Sequence, residues 1–499
     1  MEFDKIISDE NLKLLKVDMF QDYPLATRND EQQKEWLQAK KDLLAGKITK
    51  EQLDALSEKQ MSEIYPSLTE EERCANVAFF ARAMKEHVGW DVFPEEAKQN
   101  FTCAIEEIYS DSQPKTARDL MLSLGTAVRL LPDKHASVSL FNGMSVKSGC
   151  QSNAGKNVLS AGRDDIEFFD KKEGIWGIGQ TKDGSALVVS IASCFREDGN
   201  RKENWDDFKA AFEKAYEKNY SRIILDVRGN MGGEDWPLDY IARRTYGNDL
   251  NAMQTAEVKD TKLGMHFLSK HGMFRNEEKP FDIENMPVSG DKRVLMDERD
   301  VYYLFNVNKG YLGQIDVLMD GAVSSAAESA HTLFYHHPNA RFVGEPTNGM
   351  QQYQQGNVIL PCGLSMRVGV LQRNYYDGMI EGIGHDVDIH VPLDENGKGA
   401  DAFDVALTND DMSKTRERQE SLQDLYFGRL LVAKTLDYME RGQRSFSADC
   451  VKAALKKMHS QIPTPAILQQ QEVEAPAILK QENNSSSLRS SLAQLKGRS

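Results

Sequence analysis

Two adjacent serines, Ser324 and Ser325, follow a short apolar run (Ile315-Asp-Val-Leu-Met319) and open the Ala-rich stretch Ser325-Ala-Ala-Glu328. A hydroxyl at such a strand-to-helix turn is exposed, and the next backbone N–H points at whatever it attacks. A serine nucleophile needs an adjacent base, and the base needs a group that orients it. His135, in Leu130-Leu-Pro-Asp-Lys-His-Ala-Ser-Val-Ser139, has the right intrinsic pKa for that work, although a lone histidine at a helix-to-strand junction is more often structural. Asp226-Val-Arg-Gly-Asn-Met-Gly-Gly233 follows a second apolar run, Ile223-Ile-Leu225. A glycine pair past a strand lets the backbone approach a ligand and offers free N–H groups, but alone it is most often a tight turn.

The elements that must position these residues fall into two patterns. Residues 1–145 read as helical: Glu31–Leu56, a helix capped by Thr69-Glu-Glu-Glu, Pro94–Ile108 and Thr116–Leu131. From residue 163 short apolar strands alternate with helical spacing. Strand candidates are Gly174–Gly179, Ser185–Ala192, Arg222–Val227, Ile315–Met319, Arg341–Val343, Asn357–Leu360, Leu364–Val370 and Asp388–Val391, with a helix over Trp205–Lys218. The expected class is therefore multidomain α/β. Its parts are an N-terminal helical domain (1–145), an α/β core (163–400) and a C-terminal helical segment (401–460). The core carries an irregular, charged insertion over 245–310, and Lys147–Gly162 reads as a loop. The Gln-, Ser- and Asn-rich residues 461–499, with Pro-Ala-Ile-Leu twice, cannot bury enough surface to fold alone.

Bulk properties narrow the partners. A net charge of −16 argues against nucleic acid or an anionic membrane as the main partner. The six cysteines lack Cys-x-x-Cys spacing, so there is no zinc knuckle and no disulfide framework. No apolar run approaches the roughly 18 residues that span a bilayer, and the N-terminus lacks the basic and apolar regions of a signal peptide. A cytoplasmic chain is expected, with non-classical export or a partner for the C-terminal tail left open, and homo-oligomerisation likewise.

Four segments in order resemble the carboxy-terminal-processing and tricorn-core serine peptidases, over about residues 70–395: the histidine segment, Asp226–Gly233, the serine block with Gly344-Glu-Pro-Thr-Asn-Gly-Met350, and Tyr376-Asp-Gly-Met-Ile-Glu-Gly-Ile-Gly-His-Asp-Val-Asp388. The resemblance implies a ClpP/crotonase-like core and a peptidase working through an acyl-enzyme without cofactor or metal. Its register puts the attacking hydroxyl at Ser325 rather than Ser324. It places Met350 where the Ser-Lys branch keeps its base, and Gln354 where that branch has a glutamine. Methionine accepts no proton at a useful pH, which excludes a Ser-Lys dyad. The tricorn branch instead uses a histidine and a glutamate, which match His135 as general base and Glu381 as its orienter. Ser137 or Ser139 would bridge them. Gly233, with Gly232 as the fallback, and Ala326 would supply the oxyanion-hole donors. The chain departs from the pattern at His385-Asp386-Val387, which makes His385 a second candidate imidazole. The stretch from His135 to Arg222 is too short for a complete PDZ domain. The alternative is a catalytically inactive peptide- or small-ligand-binding protein on the same fold; a crotonase-like hydratase explains neither Ser325 nor His135.

Overall fold

In the computed structural model, which describes residues 2–113, 115–140, 145–147, 163–194, 203–247, 255–269, 290, 292–295, 310–335, 337–374, 380–392 and 400–424, the chain forms two units, each assembled from separated segments. The first comprises Met1–Asn153, Thr255–Leu295 and Thr347–His385; the second comprises Ala154–Gln254, Met296–Pro346 and Asp386–Ser499. The fold is multidomain α/β. Most of the Lys147–Gly162 loop, most of the 245–310 insertion, the chain beyond Asp424 and the whole 461–499 tail lie outside the described residues.

The first unit begins helical, as its sequence periodicity requires. Glu31–Leu56 is not one helix, however. Gly46, at φ 68°, ends Asp30–Leu44 in a left-handed turn, and a new helix runs Lys50–Ile64 from a Thr49/Gln52 capping box. Glu70–Lys85 starts at the expected box, Thr69 with Glu72, and buries Val77, Phe79, Phe80 and Met84 against Glu95–Ser110 and Ala117–Val128. An antiparallel sheet completes this unit. Its long strand, Ser365–Asn374, pairs with Tyr353–Ile359, with Ser137–Ser139 and with Thr255–Lys259. Thr255–Lys259 and its partner Lys292–Leu295 come from the segment read as irregular insertion. The helix Lys262–Ser269 lies there too, with Leu263, Met265, Phe267 and Leu268 in the unit's core. Their pairing partners lie far away in the sequence, so local pattern does not reveal them.

The second unit is a seven-stranded sheet in the order Ile389–His390, Ala340–Gly344, Gln314–Met319, Arg222–Asp226, Ala186–Ile191, Trp176–Thr181 and Ile166–Lys172. The first five run parallel and the last two antiparallel. Ala186–Ile191, Arg222–Asp226 and Gln314–Met319 are almost wholly buried, which is why they read as continuous apolar runs. Glu203–Tyr216 and Trp236–Tyr246 supply Phe208, Phe212, Leu238 and Ile241 to one core. Phe403 and Ala406, from the helix Ala402–Thr408, close another. Arg222–Asp226 and Gln314–Met319 are parallel neighbours, so the turns that follow them emerge at the same end of the sheet. Ligands of open α/β sheets bind at such carboxyl ends.

Candidate active site

The serine turn and the glycine turn are built together in the second unit. Asp320 ends the strand Gln314–Met319, and its Oδ1 accepts the N–H of Ala322 at 3.0 Å and that of Gly229 at 3.1 Å, tying the two turns to one carboxylate. Ser324 stays extended (φ −143°), is buried, and turns its hydroxyl onto Ala322 O at 2.8 Å. Ser325, half-buried, takes the opposite course. Its φ of 55° is left-handed, a conformation that costs a side-chain-bearing residue on the order of 1–3 kcal/mol. The fully buried Glu328 accepts the Ser325 N–H at 2.9 Å and so holds the start of the short 3-10 turn Ser325–Glu328. Of the two serines, Ser325 therefore occupies the strained elbow.

The glycine turn runs against this elbow. A Cβ on Gly232 would lie 2.7 Å from Ser324 O, 2.8 Å from Ser325 Cβ and 3.1 Å from Ala326 N, so only glycine permits the approach. Gly232 and Gly233 both have positive φ, 98° and 133°. Asn230 fixes the turn. Its Oδ1 accepts the Gly232 N–H at 2.9 Å, its Nδ2 donates to Ile191 O at 2.9 Å, and its backbone carbonyl accepts the Ser324 N–H at 3.0 Å. Cys194 bridges to Gly233, and burial pushes its thiol up to about 12, leaving it a packing group. The Gly232 N–H is thus spent on Asn230, whereas the Gly233 and Ala326 N–H groups donate to no acceptor among the described residues.

The first unit holds His135 and Glu381. His135 is half-buried in the turn before the strand Ser137–Ser139. Asp133, two residues earlier and wholly buried, accepts the His135 backbone N–H at 2.8 Å, His87 Nε2 at 2.7 Å and Gln355 Nε2 at 2.9 Å. The Gly89 N–H donates to His87 Nδ1 at 2.9 Å, so Nε2 is the ring nitrogen that carries the proton toward Asp133. Burial pushes the Asp133 carboxyl up, but the hydrogen bond from His87, with further pulls from His135 and Gln355, outweighs it and leaves it below the usual carboxylate range. Glu381, also buried, accepts the Lys134 N–H at 2.8 Å and the Gln352 N–H at 3.2 Å. A ring nitrogen of His135 and one oxygen each of Asp133 and Glu381 lie within 4.8 Å of one another. His135 is thus flanked by two carboxylates, Glu381 and also Asp133, which stands two residues before it in the same motif. Three residues that surround the cluster, His87, Gln355 and the backbone of Gln352, carry no sequence signal of this role.

The remaining candidates are placed otherwise. Ser139 Oγ donates to Ser365 O at 3.5 Å, a strand-to-strand contact, and Ser137 is buried in the same strand. Among the described residues neither hydroxyl bridges His135 and Glu381. The amide of Gln354, assigned with its oxygen toward Arg373, faces that guanidinium; its strand neighbour Gln355 reaches Asp133 instead. His385 is buried, with Nε2 3.3 Å from Gln351 Oε1 and its N–H on Thr347 Oγ1 at 2.8 Å. Met350 is buried too, its sulfur 3.4 Å from Asn348 Nδ2. Lys134 Nζ donates to the carbonyl of the same Asn348 at 2.6 Å and to its Oδ1 at 2.8 Å. No helix among the described residues is long and apolar enough to cross a membrane.

Residues 188–391 match the family model described as Peptidase family S41. A structure of a candidate peptidase from Parabacteroides merdae ATCC 43184 is 15% identical, covers 68% of this chain and 96% of its own, and has a TM-score of 0.44. Mature CPAF is 15% identical over 52% of this chain and 56% of its own, with a TM-score of 0.32. The tricorn protease is 12% identical over 70% of this chain and 37% of its own, with a TM-score of 0.32. A comparison with curated proteins gives no match.

Proposed function

Because residues 188–391 place this chain in Peptidase family S41 as a serine-type peptidase, we propose that Ser325 is its nucleophile, His135 its general base and Glu381 the group that orients the base. The Ser325 hydroxyl attacks the carbonyl of a peptide bond as His135 takes its proton. The same proton then passes to the leaving amine, and water releases the acyl group by the reverse sequence. Glu381 favours the imidazolium that forms in between. Gly233 and Ala326 supply the N–H groups for the oxyanion, each worth about 10²–10³ in rate. Gly232 is the weaker choice for that role, because its N–H is committed to Asn230. Asp133 is added here as a second carboxylate beside the imidazole.

The observation that carries this reading is the left-handed Ser325, pressed against Gly232 and followed by an Ala326 N–H that donates to no acceptor among the described residues. Backbone strain held at one serine, with oxyanion donors beside it, is what an acyl-transfer nucleophile requires. Peptide or protein substrates follow from the same reading.

A fluorophosphonate probe tests it. Wild-type protein labels, Ser325→Ala does not, and His135→Ala labels at least about 10²-fold more slowly. If the wild type does not label, the ligand-binding alternative replaces the enzyme. If Ser324→Ala abolishes labelling while Ser325→Ala does not, the nucleophile is misassigned. If His385→Ala slows labelling and His135→Ala does not, the base is misassigned.

A further inference from the structure

The cluster around His135 has a composition that proton transfer alone does not require. Two buried carboxylates, Asp133 and Glu381, converge on one half-buried imidazole, with one donor atom from each of the three within 4.8 Å of the others. Asp133 accepts from His87, the His135 N–H and Gln355, and Glu381 accepts from the Lys134 and Gln352 N–H groups, so both carboxylates are held in place around the imidazole. The ammonium next in sequence, Lys134 Nζ, is directed onto Asn348 instead of onto these carboxylates.

The surroundings also have the form of an outer ligand shell. His87, its ring orientation set by the Gly89 N–H, bonds to Asp133, and backbone N–H groups hold Glu381, so both carboxylates are oriented before any ion arrives.

We propose that Asp133, His135 and Glu381 together bind one transition-metal dication of the Zn²⁺ type, and that the bound ion holds the peptidase inactive by occupying the imidazole of its base. One imidazole nitrogen and two carboxylate oxygens suit Zn²⁺ better than Mg²⁺ or Ca²⁺, which favour oxygen alone. Zn–N and Zn–O distances of about 2.0–2.2 Å require the three atoms to close to roughly 3.5 Å, a side-chain adjustment. The inhibitory half rests on the assignment of His135 as base; the binding half does not.

The experiment uses the full-length protein and Zn²⁺ alone, titrated against a chromophoric chelator, with Co²⁺ absorption as a second readout. Wild type and Ser325→Ala bind one equivalent at micromolar free Zn²⁺. Asp133→Asn and His135→Ala, checked for native circular dichroism, bind at least about 10-fold more weakly, and His87→Phe weakens binding about 10–100-fold through the outer shell. Stoichiometric binding that survives His135→Ala overturns the site, as does the absence of binding in wild type. Zn²⁺ should also slow fluorophosphonate labelling of wild type, with EDTA restoring it. Binding without slowed labelling overturns the inhibitory role and leaves the site. Binding in a protein that never labels shows the peptidase reading to be wrong and the metal site to be right.

Discussion

The Glu381 carboxylate accepts the backbone N–H of Lys134 at 2.8 Å, joining residues 247 positions apart. Glu381 is thereby locked to the turn that carries His135, whatever its role in proton transfer. Glu381→Gln keeps one acceptor oxygen for the two N–H groups and loses the charge, so kcat/KM should fall about 10²–10⁴-fold with a partial loss of melting temperature. Glu381→Ala removes the acceptor of both N–H groups, at about 1–3 kcal/mol each, so it should lose more stability as well as activity. Equal melting temperatures for the two variants would count against this lock.

Gly232 and Gly233 should respond differently to alanine. At 232 the new Cβ meets Ser325 Cβ at 2.8 Å and Ser324 O at 2.7 Å, so the proposed nucleophile itself must shift. Gly232→Ala is expected to abolish fluorophosphonate labelling and to cost on the order of 1–3 kcal/mol in backbone strain. Gly233→Ala acts through its φ of 133° and the proposed oxyanion donor, and should leave slow labelling measurable. Rapid labelling by Gly232→Ala would rule out the close approach.

Asn230 is a positioning residue. Its bonds to Gly232, Ile191 and Ser324 hold the glycine turn against the serine turn. Asn230→Ala should lower kcat about 10²–10³-fold, as does the loss of an oxyanion donor, with little change in KM. A rise in KM at constant kcat would mean that Asn230 shapes substrate binding instead.

His337 supplies a pH dependence unrelated to catalysis. Burial pushes this imidazole from 6.5 down to about 4, against a smaller upward pull from the Thr245 carbonyl. The folded protein thus resists the proton that the unfolded chain accepts. Its contribution is complete above pH 6.5 and is lost progressively as pH falls from 6.5 to 4, about 3 kcal/mol in all. Denaturant unfolding of wild type and His337→Gln at pH 7 and pH 4.5 measures it. The wild type should lose more stability between the two pH values than the variant.

What could be read from the sequence was local. The capping pair Thr69 and Glu72, the apolar runs of the parallel strands and the glycine pair after Asp226 each declare themselves within a few residues, and the structure places them as read. What failed were long-range consequences. Thr255–Lys259 looked irregular because its strand partners lie at Leu371–Asn374 and Lys292–Leu295. The approach of Asp133 to Gln355 rather than Gln354 follows from the alternation of side chains along Tyr353–Ile359 and from a contact 222 residues away in the sequence. His87 offers no signal, because its partner Asp133 lies 46 residues away.

The segmented make-up of the first unit sets an order of events during synthesis. His135 leaves the ribosome long before Glu381, and at 5–20 residues per second the 247 positions between Lys134 and Glu381 take about 12–50 s to translate. Throughout that interval a nascent chain lacks one of the carboxylates beside its imidazole, and for most of it Ser325 as well. Under the assignment proposed here, translation itself keeps the growing polypeptide from cutting its neighbours until the last motif has emerged.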